Sequence, residues 1–353
     1  MEGRWRIEIK FDLKGESIYL TLVGIIANPA SGKDIRRLVA HGSVFDNIEK
    51  VNIARRILLG LEATGVDKVL YMPDYFGIVP RALEHVRLKM SVEPLKMYCQ
   101  GTQDDSTLAA KLLEKEGAKC LIVLGGDGTN RAVAKGSISV PFMPVSTGTN
   151  NIFPSMVEGT IAGMAAGYVA AGTVSAEEAT YPTKRLDILI DGELRDLALV
   201  DAALYDDIFL GSKAIWDMSK VKELVLTQAK PSNIGLSSVG GMILQRHLAE
   251  DEGLHIILGS LEDSKEGFEV TAPVAPGLIK PVRVLEFNEI SLGDEIGFDI
   301  SPAVIALDGE REVEILPGRK ASVRLSNNGP RVIDIERTMW LAVQNKGLIG
   351  RSK

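Results

Sequence analysis

Residues 121–131 read Leu-Ile-Val-Leu-Gly-Gly-Asp-Gly-Thr-Asn-Arg. The four aliphatic residues, Leu121 to Leu124, predict a strand covered on both faces, as interior parallel strands are. Three glycines, Gly125, Gly126 and Gly128, then surround one carboxylate, Asp127. Glycine lets the backbone approach a ligand closely. Thr129 is placed to cap a following helix, whose free N–H groups would face an anion. A strand, a glycine turn and a helix start make a phosphate cradle, and Asp127 adds a group able to accept a proton or hold Mg²⁺. A plain strand-to-helix turn could also carry a solvated acid, but three glycines around it exceed what such a turn needs.

Outward from this turn the pattern alternates. Trp5, Ile7, Ile9 and Phe11 on one face, with Gly15-Glu16 at the turn, predict a hairpin over 5–23 that runs into a buried strand at 23–27. Helices are expected at about 47–63, 76–90, 105–116 (opened by Asp105 or Ser106), from the glycine turn to about 135, and at 158–171. Strands are expected at 66–71, 95–99, 119–124 and 140–145. This predicts a Rossmann-like parallel sheet covered on both faces, which binds ligands beyond the carboxyl ends of its strands. From Arg185 short strands dominate: 185–190, 193–203, 253–259, 266–271, 281–288, 303–307, 311–316 and 321–325. Helix-like interruptions fall near 212–222 and 237–250. The expected fold is an α/β domain over 1–180 and a mostly antiparallel β domain over 181–330. The tail, 331–353, resumes helical spacing and could return to the first domain. The site should lie in the cleft between domains.

Composition bounds the partners. The 353 residues are 45% hydrophobic and 25% charged, ordinary for globular domains. A net charge of −7 argues against nucleic acid or an anionic membrane as the main partner. Cys99 and Cys120 have no metal-ligand spacing and read as reduced thiols, and four scattered histidines give no zinc signature. No apolar run reaches the ~20 residues of a spanning helix, and the charged N-terminus is no signal peptide. A cytoplasmic protein acting as a homo-oligomer is expected.

Two more loops share the carboxyl edge with the glycine turn. The first, Asn28-Pro29-Ala30-Ser31-Gly32-Lys33, is not a Walker A loop, because Asp34 follows Gly-Lys where Ser or Thr is required. It still joins a buried strand to a helix, so Ser31, Gly32 and Lys33 could meet a phosphate. The third, Ser146-Thr147-Gly148-Thr149-Asn150-Asn151, offers hydroxyls and amides to a nucleotide without adding charge. In the β domain, Ser232-Asn233-Ile234-Gly235-Leu236-Ser237-Ser238 permits close approach of a second ligand. Asp308-Gly309-Glu310 reads as a hairpin turn or as a second carboxylate in the cleft.

Together these loops resemble the superfamily that joins NAD kinases with diacylglycerol and sphingosine kinases. Gly125-Gly126-Asp127-Gly128-Thr129 matches the shared signature, and Asn28 to Lys33 is similar to the Asn-Pro-x-Ser-Gly loop of the lipid kinases. Thr147 to Asn151 is similar to their Gly-Thr-x-Asn-Asp loop or to the Asn-x-Gly loop of NAD kinases. Ser232 to Gly241 resembles an NAD-kinase segment, and Asp308-Gly309-Glu310 the Asp-Gly-Glu of lipid kinases. The mixture looks most like AcoX-type proteins of acetoin catabolism. Three positions depart: Ala132 stands where lipid kinases carry Glu, and Asn233 and Gly235 where NAD kinases carry Thr and Tyr.

The resemblance implies an ATP- and Mg²⁺-dependent kinase that phosphorylates a hydroxyl of a small polyol, hydroxy acid or nucleotide. The alternatives are an NAD kinase, disfavoured by Gly235, or a degenerate nucleotide-binding regulator. A plain NAD-dependent oxidoreductase is weaker still, because Gly-x-Gly-x-x-Gly is lacking. ATP would lie along Asn28, Ser31, Gly32 and Lys33, along Gly125, Gly126, Gly128 and Thr129, and along Thr147, Gly148, Thr149, Asn150 and Asn151. The acceptor would meet Ser232, Asn233, Gly235 and Ser238. Asp127 is the expected base or metal ligand and Asp308 the second catalytic acid, with Lys33 or Arg131 offsetting transition-state charge.

Overall fold

In a computed structural model the structure describes residues 10–11, 17–18, 20–31, 45–148, 150–206, 218–261 and 267–345, with the backbone alone at 10–11, 17–18 and 311. β1 (Lys10–Phe11) pairs antiparallel with β2 (Ser17–Ile18), which is the described part of the N-terminal hairpin.

The α/β domain contains β3 (Leu22–Ala27), α1 (Asn47–Ala63), β4 (Lys68–Tyr71), α2 (Ile78–Leu83), β5 (Ser91–Pro94) and α3 (Gln103–Lys115). It continues through β6 (Cys120–Gly125), α4 (Asp127–Gly136), β7 (Phe142–Ser146), α5 (Gly159–Ala170), α6 (Ala176–Ala179) and β8 (Thr180–Tyr181). The strand order is β5-β4-β3-β6-β7-β20-β8, where β20 is Val332–Ile333. β20 pairs parallel with β7 and antiparallel with β8, and α8 (Ile335–Gln344) then packs against α5 and α6. The chain therefore crosses back to its first sheet. One face of the sheet packs on α1, α2, α5 and α8, and the other on α3 and α4.

Apolar spacing explains the best-defined helices. In α1, Ile53, Ala54, Ile57, Leu58 and Leu61 repeat at three- and four-residue intervals and are all buried. Asp46 caps this helix by accepting from the Glu49 N–H at 2.8 Å. α1 crosses α5 closely: a Cβ on Gly163 would lie 2.3 Å from the Ile57 carbonyl oxygen.

The β-rich domain is a sandwich. A four-stranded sheet, in the order β10-β9-β19-β16, consists of β9 (Arg185–Ile190), β10 (Glu193–Ala198), β16 (Glu295–Phe298) and β19 (Ala321–Ser326). It faces a seven-stranded antiparallel sheet in the order β14-β15-β13-β12-β11-β17-β18. The strands of this second sheet are β11 (Asp201–Tyr205), β12 (Val221–Leu226), β13 (Glu252–Gly259), β14 (Phe268–Ala275), β15 (Leu278–Ser291), β17 (Ala303–Leu307) and β18 (Glu310–Ile315). A short helix, α7 (Ser237–Gly241), packs on its other face. Leu197, Leu199 and Val200 join the core beneath α3 and α4, which welds the two domains together.

Several boundaries differ from the sequence expectations. The helix expected over 76–90 stops at Leu83, because Glu84 turns extended (ψ 130°) and His85 is left-handed (φ 66°). The strand expected at 95–99 forms at 91–94, in register with the short β4, and Pro94 ends it. The stretch 193–203 is two strands. At the end of the helix-like stretch 212–222, Met218–Lys220 is a single 3₁₀ turn and Val221 begins β12. α3 starts at Gln103, with Asp105 in its first turn reaching back to the N–H groups of Gln100, Gly101 and Thr102. Among the described residues no helix is long and apolar enough to cross a membrane.

Candidate functional site

The carboxyl ends of β3, β6 and β7 hold the three loops in contact. Asn28 donates its backbone N–H to the Leu124 carbonyl at 3.1 Å, and its Nδ2 to Thr129 Oγ1 at 3.0 Å. Ser31 Oγ lies 2.9 Å from Thr147 Oγ1, and the Thr147 N–H donates to the Gly125 carbonyl at 3.3 Å. Thr129 is therefore not the helix cap. α4 begins at Asp127 behind Gly126, and the Thr129 hydroxyl spends its lone pair on the first loop. Gly32, Lys33 and Thr149 lie outside the described residues.

Gly125 and Gly126 are set by close approach. A Cβ on Gly126 would lie 2.6 Å from Asn151 Oδ1, and one on Gly128 would touch the Glu310 carboxylate at 3.5 Å. Asn151 in turn donates to Ser146 Oγ at 2.8 Å and to the Gly148 carbonyl at 3.3 Å.

Asp127 is buried. Its Oδ1 accepts from the N–H groups of Ile152 at 3.0 Å and Phe153 at 2.8 Å. The acid thus ties the third loop to the glycine turn, whatever further part it takes in chemistry. Asp308 is sealed more deeply. It is left-handed (φ 52°), and its carboxylate accepts from the N–H groups of Leu199 at 3.1 Å and Val200 at 2.8 Å. Burial pushes its carboxyl above the ordinary value, while Arg131, at 3.6 Å, pulls the other way. These surroundings make Asp308 an anchor of the β17–β18 turn. The acid that reaches the glycine turn is its neighbour Glu310, whose Oε2 accepts from Gln103 Nε2 at 3.0 Å.

Arg131 is 1% exposed and lies among Asp196 (3.7 Å), Asp308 (3.6 Å) and Glu312 (3.1 Å). Burial would lower its pKa, but the carboxylates outweigh burial and raise it. So placed, the guanidinium joins the domains and is not available to a transferring phosphoryl group.

Lys50 has no counterpart in the sequence expectations. It is fully buried, and its ammonium donates to the carbonyls of Asn28 (3.0 Å), Pro29 (3.4 Å) and Ser31 (2.6 Å) and to Asn47 Oδ1 (3.1 Å). A lysine on an amphipathic helix reads as solvated, so only the fold reveals that it shapes the first loop.

A cavity of about 410 Å³ opens beside this loop, walled by Asn28 to Ala30, by Met72 to Tyr75 beyond β4, and by Met97 to Thr102 before α3. Tyr75 and Tyr98 stand exposed on it, and Cys99 and Asp74 line it. The Asp74 carboxylate accepts from the N–H groups of Phe76, Gly77 and Ile78, and burial holds its carboxyl above the ordinary value despite them. Neither the β4 end nor the start of α3 was marked as a site by sequence, since neither carries a glycine cluster or a charged motif.

On the β-rich side Asn233 is buried, with its Nδ2 donating to Ser237 Oγ at 3.2 Å, and Ser238 Oγ donates to the Gly235 carbonyl at 2.6 Å. Ser232 is exposed. Gly235 is left-handed (φ 86°), where an aromatic side chain would be strained. A Cβ there would lie 3.8 Å from Asn150 Oδ1, so this segment meets the third loop. That Asn150 oxygen is buried without a hydrogen-bond partner among the described residues.

The cradle suits a nucleotide: a glycine turn opens α4, and an apolar cavity of ligand size adjoins the Asn28 loop beside it. Among the described residues no group of three His, Cys, Asp or Glu is arranged to hold a metal. Mg²⁺ suits such a site when it arrives on phosphates and takes one or two carboxylates.

Two family models match the chain. Residues 23–173 match the ATP-NAD kinase N-terminal domain, and residues 184–328 match the acetoin catabolism protein X C-terminal domain. Acetoin catabolism protein X of Cupriavidus necator is 37% identical over 329 residues, covering 90% of this chain and 91% of that protein. A crystal structure from Bacillus anthracis str. Sterne, provisionally assigned as a diacylglycerol kinase, aligns with 89% of this chain and 97% of its own at 15% identity, with a TM-score of 0.43. A second such structure from the same strain covers 89% and 98% at 14% identity, with a TM-score of 0.41.

Proposed function

The chain belongs to the acetoin catabolism protein X family, with an NAD kinase-type N-terminal domain, and we propose that it is a nucleotide-dependent phosphotransferase acting on a small hydroxylated acceptor. The observation that carries this reading is the junction of the glycine turn, the Asn28 loop and the Thr147 loop beside the 410 Å³ cavity. The nucleoside of ATP enters the cavity, and its phosphates run toward the N-terminus of α4. The acceptor lies between this edge and the Ser232–Ser238 segment, where a hydroxyl donor would satisfy the orphaned Asn150 oxygen.

The acceptor oxygen bonds to the γ-phosphorus as the bond to the ADP oxygen breaks, and the hydroxyl proton leaves to a carboxylate, Asp127 or Glu310. Mg²⁺, when bound with the nucleotide, neutralises charge on the phosphates. NAD is a poor acceptor here, because the left-handed Gly235 offers no ring for a dinucleotide to stack on.

The test is a screen of polyols, hydroxy acids, nucleosides and NAD with ATP and Mg²⁺, read by ADP release and product mass. Acceptor-dependent ADP release with a product heavier by one phosphoryl group is expected. No turnover across the panel, or turnover with NAD alone, overturns this reading.

A further inference from the structure

Glu310 is gripped from both domains. Its backbone follows a turn fixed in the β-rich domain, where Asp308 is bound by Leu199 and Val200 and the Gly309 N–H donates to Asp201 Oδ1 at 3.2 Å. Its carboxylate is held from the α/β domain by Gln103, 207 residues away in sequence. Gln103 opens α3, and its neighbours Thr102, Asp105 and Ser106 wall the 410 Å³ cavity. α3 is also locked to α4, since Thr107 Oγ1 donates to the Ala132 carbonyl at 2.7 Å and a Cβ on Gly136 would strike the Thr107 oxygen at 2.2 Å. One rigid pair of helices therefore carries the cavity wall, the glycine turn and the donor to Glu310.

We propose that Gln103 is a positioning residue that sets the Glu310 carboxylate over Gly128 and couples its placement to the wall of the nucleotide cavity. This rests on the phosphotransferase reading above. An amide is suited to the task, because it donates to the carboxylate without neutralising it, so the acid keeps its charge for the acceptor side. The bond spans the cleft, and opening of the domains would break it.

Full-length Gln103→Ala and Gln103→Glu, assayed with the acceptor found by the screen, test the proposal. The alanine variant is expected to lose about tenfold or more in kcat with the KM for ATP within about twofold, since a misplaced group costs rate before binding. In the glutamate variant two carboxylates face each other. Activity at neutral pH should fall below that of the alanine variant and recover as acid supplies a shared proton. A kcat within twofold of wild type in the alanine variant, or a glutamate pH profile parallel to wild type, overturns the proposal. A melting-temperature cycle of Gln103→Ala, Glu310→Ala and the double variant separates the two readings. Additive shifts overturn the bridge itself. Non-additive shifts with no wild-type turnover on any acceptor overturn the phosphotransferase reading, and the positioning role with it, while leaving the bridge standing.

Discussion

Asp127 has two demands on one carboxylate. Its hold on the Ile152 and Phe153 N–H groups shapes the third loop, and its place in the glycine cradle suits chemistry. Asp127→Asn keeps one uncharged acceptor for those N–H groups but puts an NH₂ donor where the second oxygen now meets the Ile152 N–H at 3.1 Å. Turnover should fall by about 10²-fold or more, and stability by about 1–3 kcal/mol, read by ADP release and thermal melting. Unchanged turnover and melting temperature would exclude both roles. Cys99 offers a probe of the cavity. Burial, followed by the nearby charges of Asp105 and Asp74, raises its thiol above the ordinary value, and complete burial raises Cys120 far more. A raised thiol pKa means less thiolate at neutral pH. Iodoacetamide should therefore label Cys99 slowly near pH 7, faster as pH rises, and not Cys120. ATP should slow that labelling, and equal rates with and without saturating ATP would place the nucleotide elsewhere. The glycine turn was legible in the sequence because glycine and a lone acid announce themselves locally. Lys50 and Gln103 were not, since the partners that give them meaning come from other loops and from the other domain.

At the scale of elements, the crossing of α1 and α5 depends on small residues. A helix-interior Gly→Ala change ordinarily stabilises by roughly 1 kcal/mol through backbone entropy. At Gly163 the added carbon would meet the Ile57 carbonyl oxygen at 2.3 Å and the Ile57 Cα at 2.9 Å, both rigid backbone. Overpacking of this kind costs about 1–3 kcal/mol, so Gly163→Ala should lower the urea midpoint; a raised midpoint would show that the helices part without cost. The long amphipathic helix α1 and the largely aliphatic strands β3 and β6 were readable from the sequence pattern, because burial dictates it. α2 was not readable to its end, since Leu88 and Met90 reach the core from the irregular segment after it and so continue an apolar pattern without a helix. β12 was missed for the converse reason. Buried Val221, Leu224 and Val225 repeat at three- and four-residue intervals, because the strand is covered on both faces.

Across the whole molecule, the domains meet through Arg131 and its acids. Arg131→Met keeps much of the volume and removes the guanidinium that three carboxylates share, a loss of about 3–5 kcal/mol for a broken buried ion cluster. Calorimetry should show unfolding split or shifted down relative to wild type; a wild-type trace would remove Arg131 from the interface energetics. The penalty has a pH signature. Asp308 already has a raised carboxyl, and losing the guanidinium raises it further. A raised native carboxyl adds stability below the unfolded value near 4 that is lost as pH rises, so the variant should approach wild type as pH falls toward that range. The two-domain plan was legible, since parallel and antiparallel patterns differ, but the sealed state of Asp308 and Arg131 was not: only folding brings them together. β8 joins its sheet only through β20, so Thr180–Tyr181 leave the ribosome well before their partner exists. At about 5–20 residues per second the wait is roughly 8–30 s. The α/β domain, begun before the β-rich one, is thus completed after it, and the edge of β7 stays open to a wrong partner until the β-rich domain has been made.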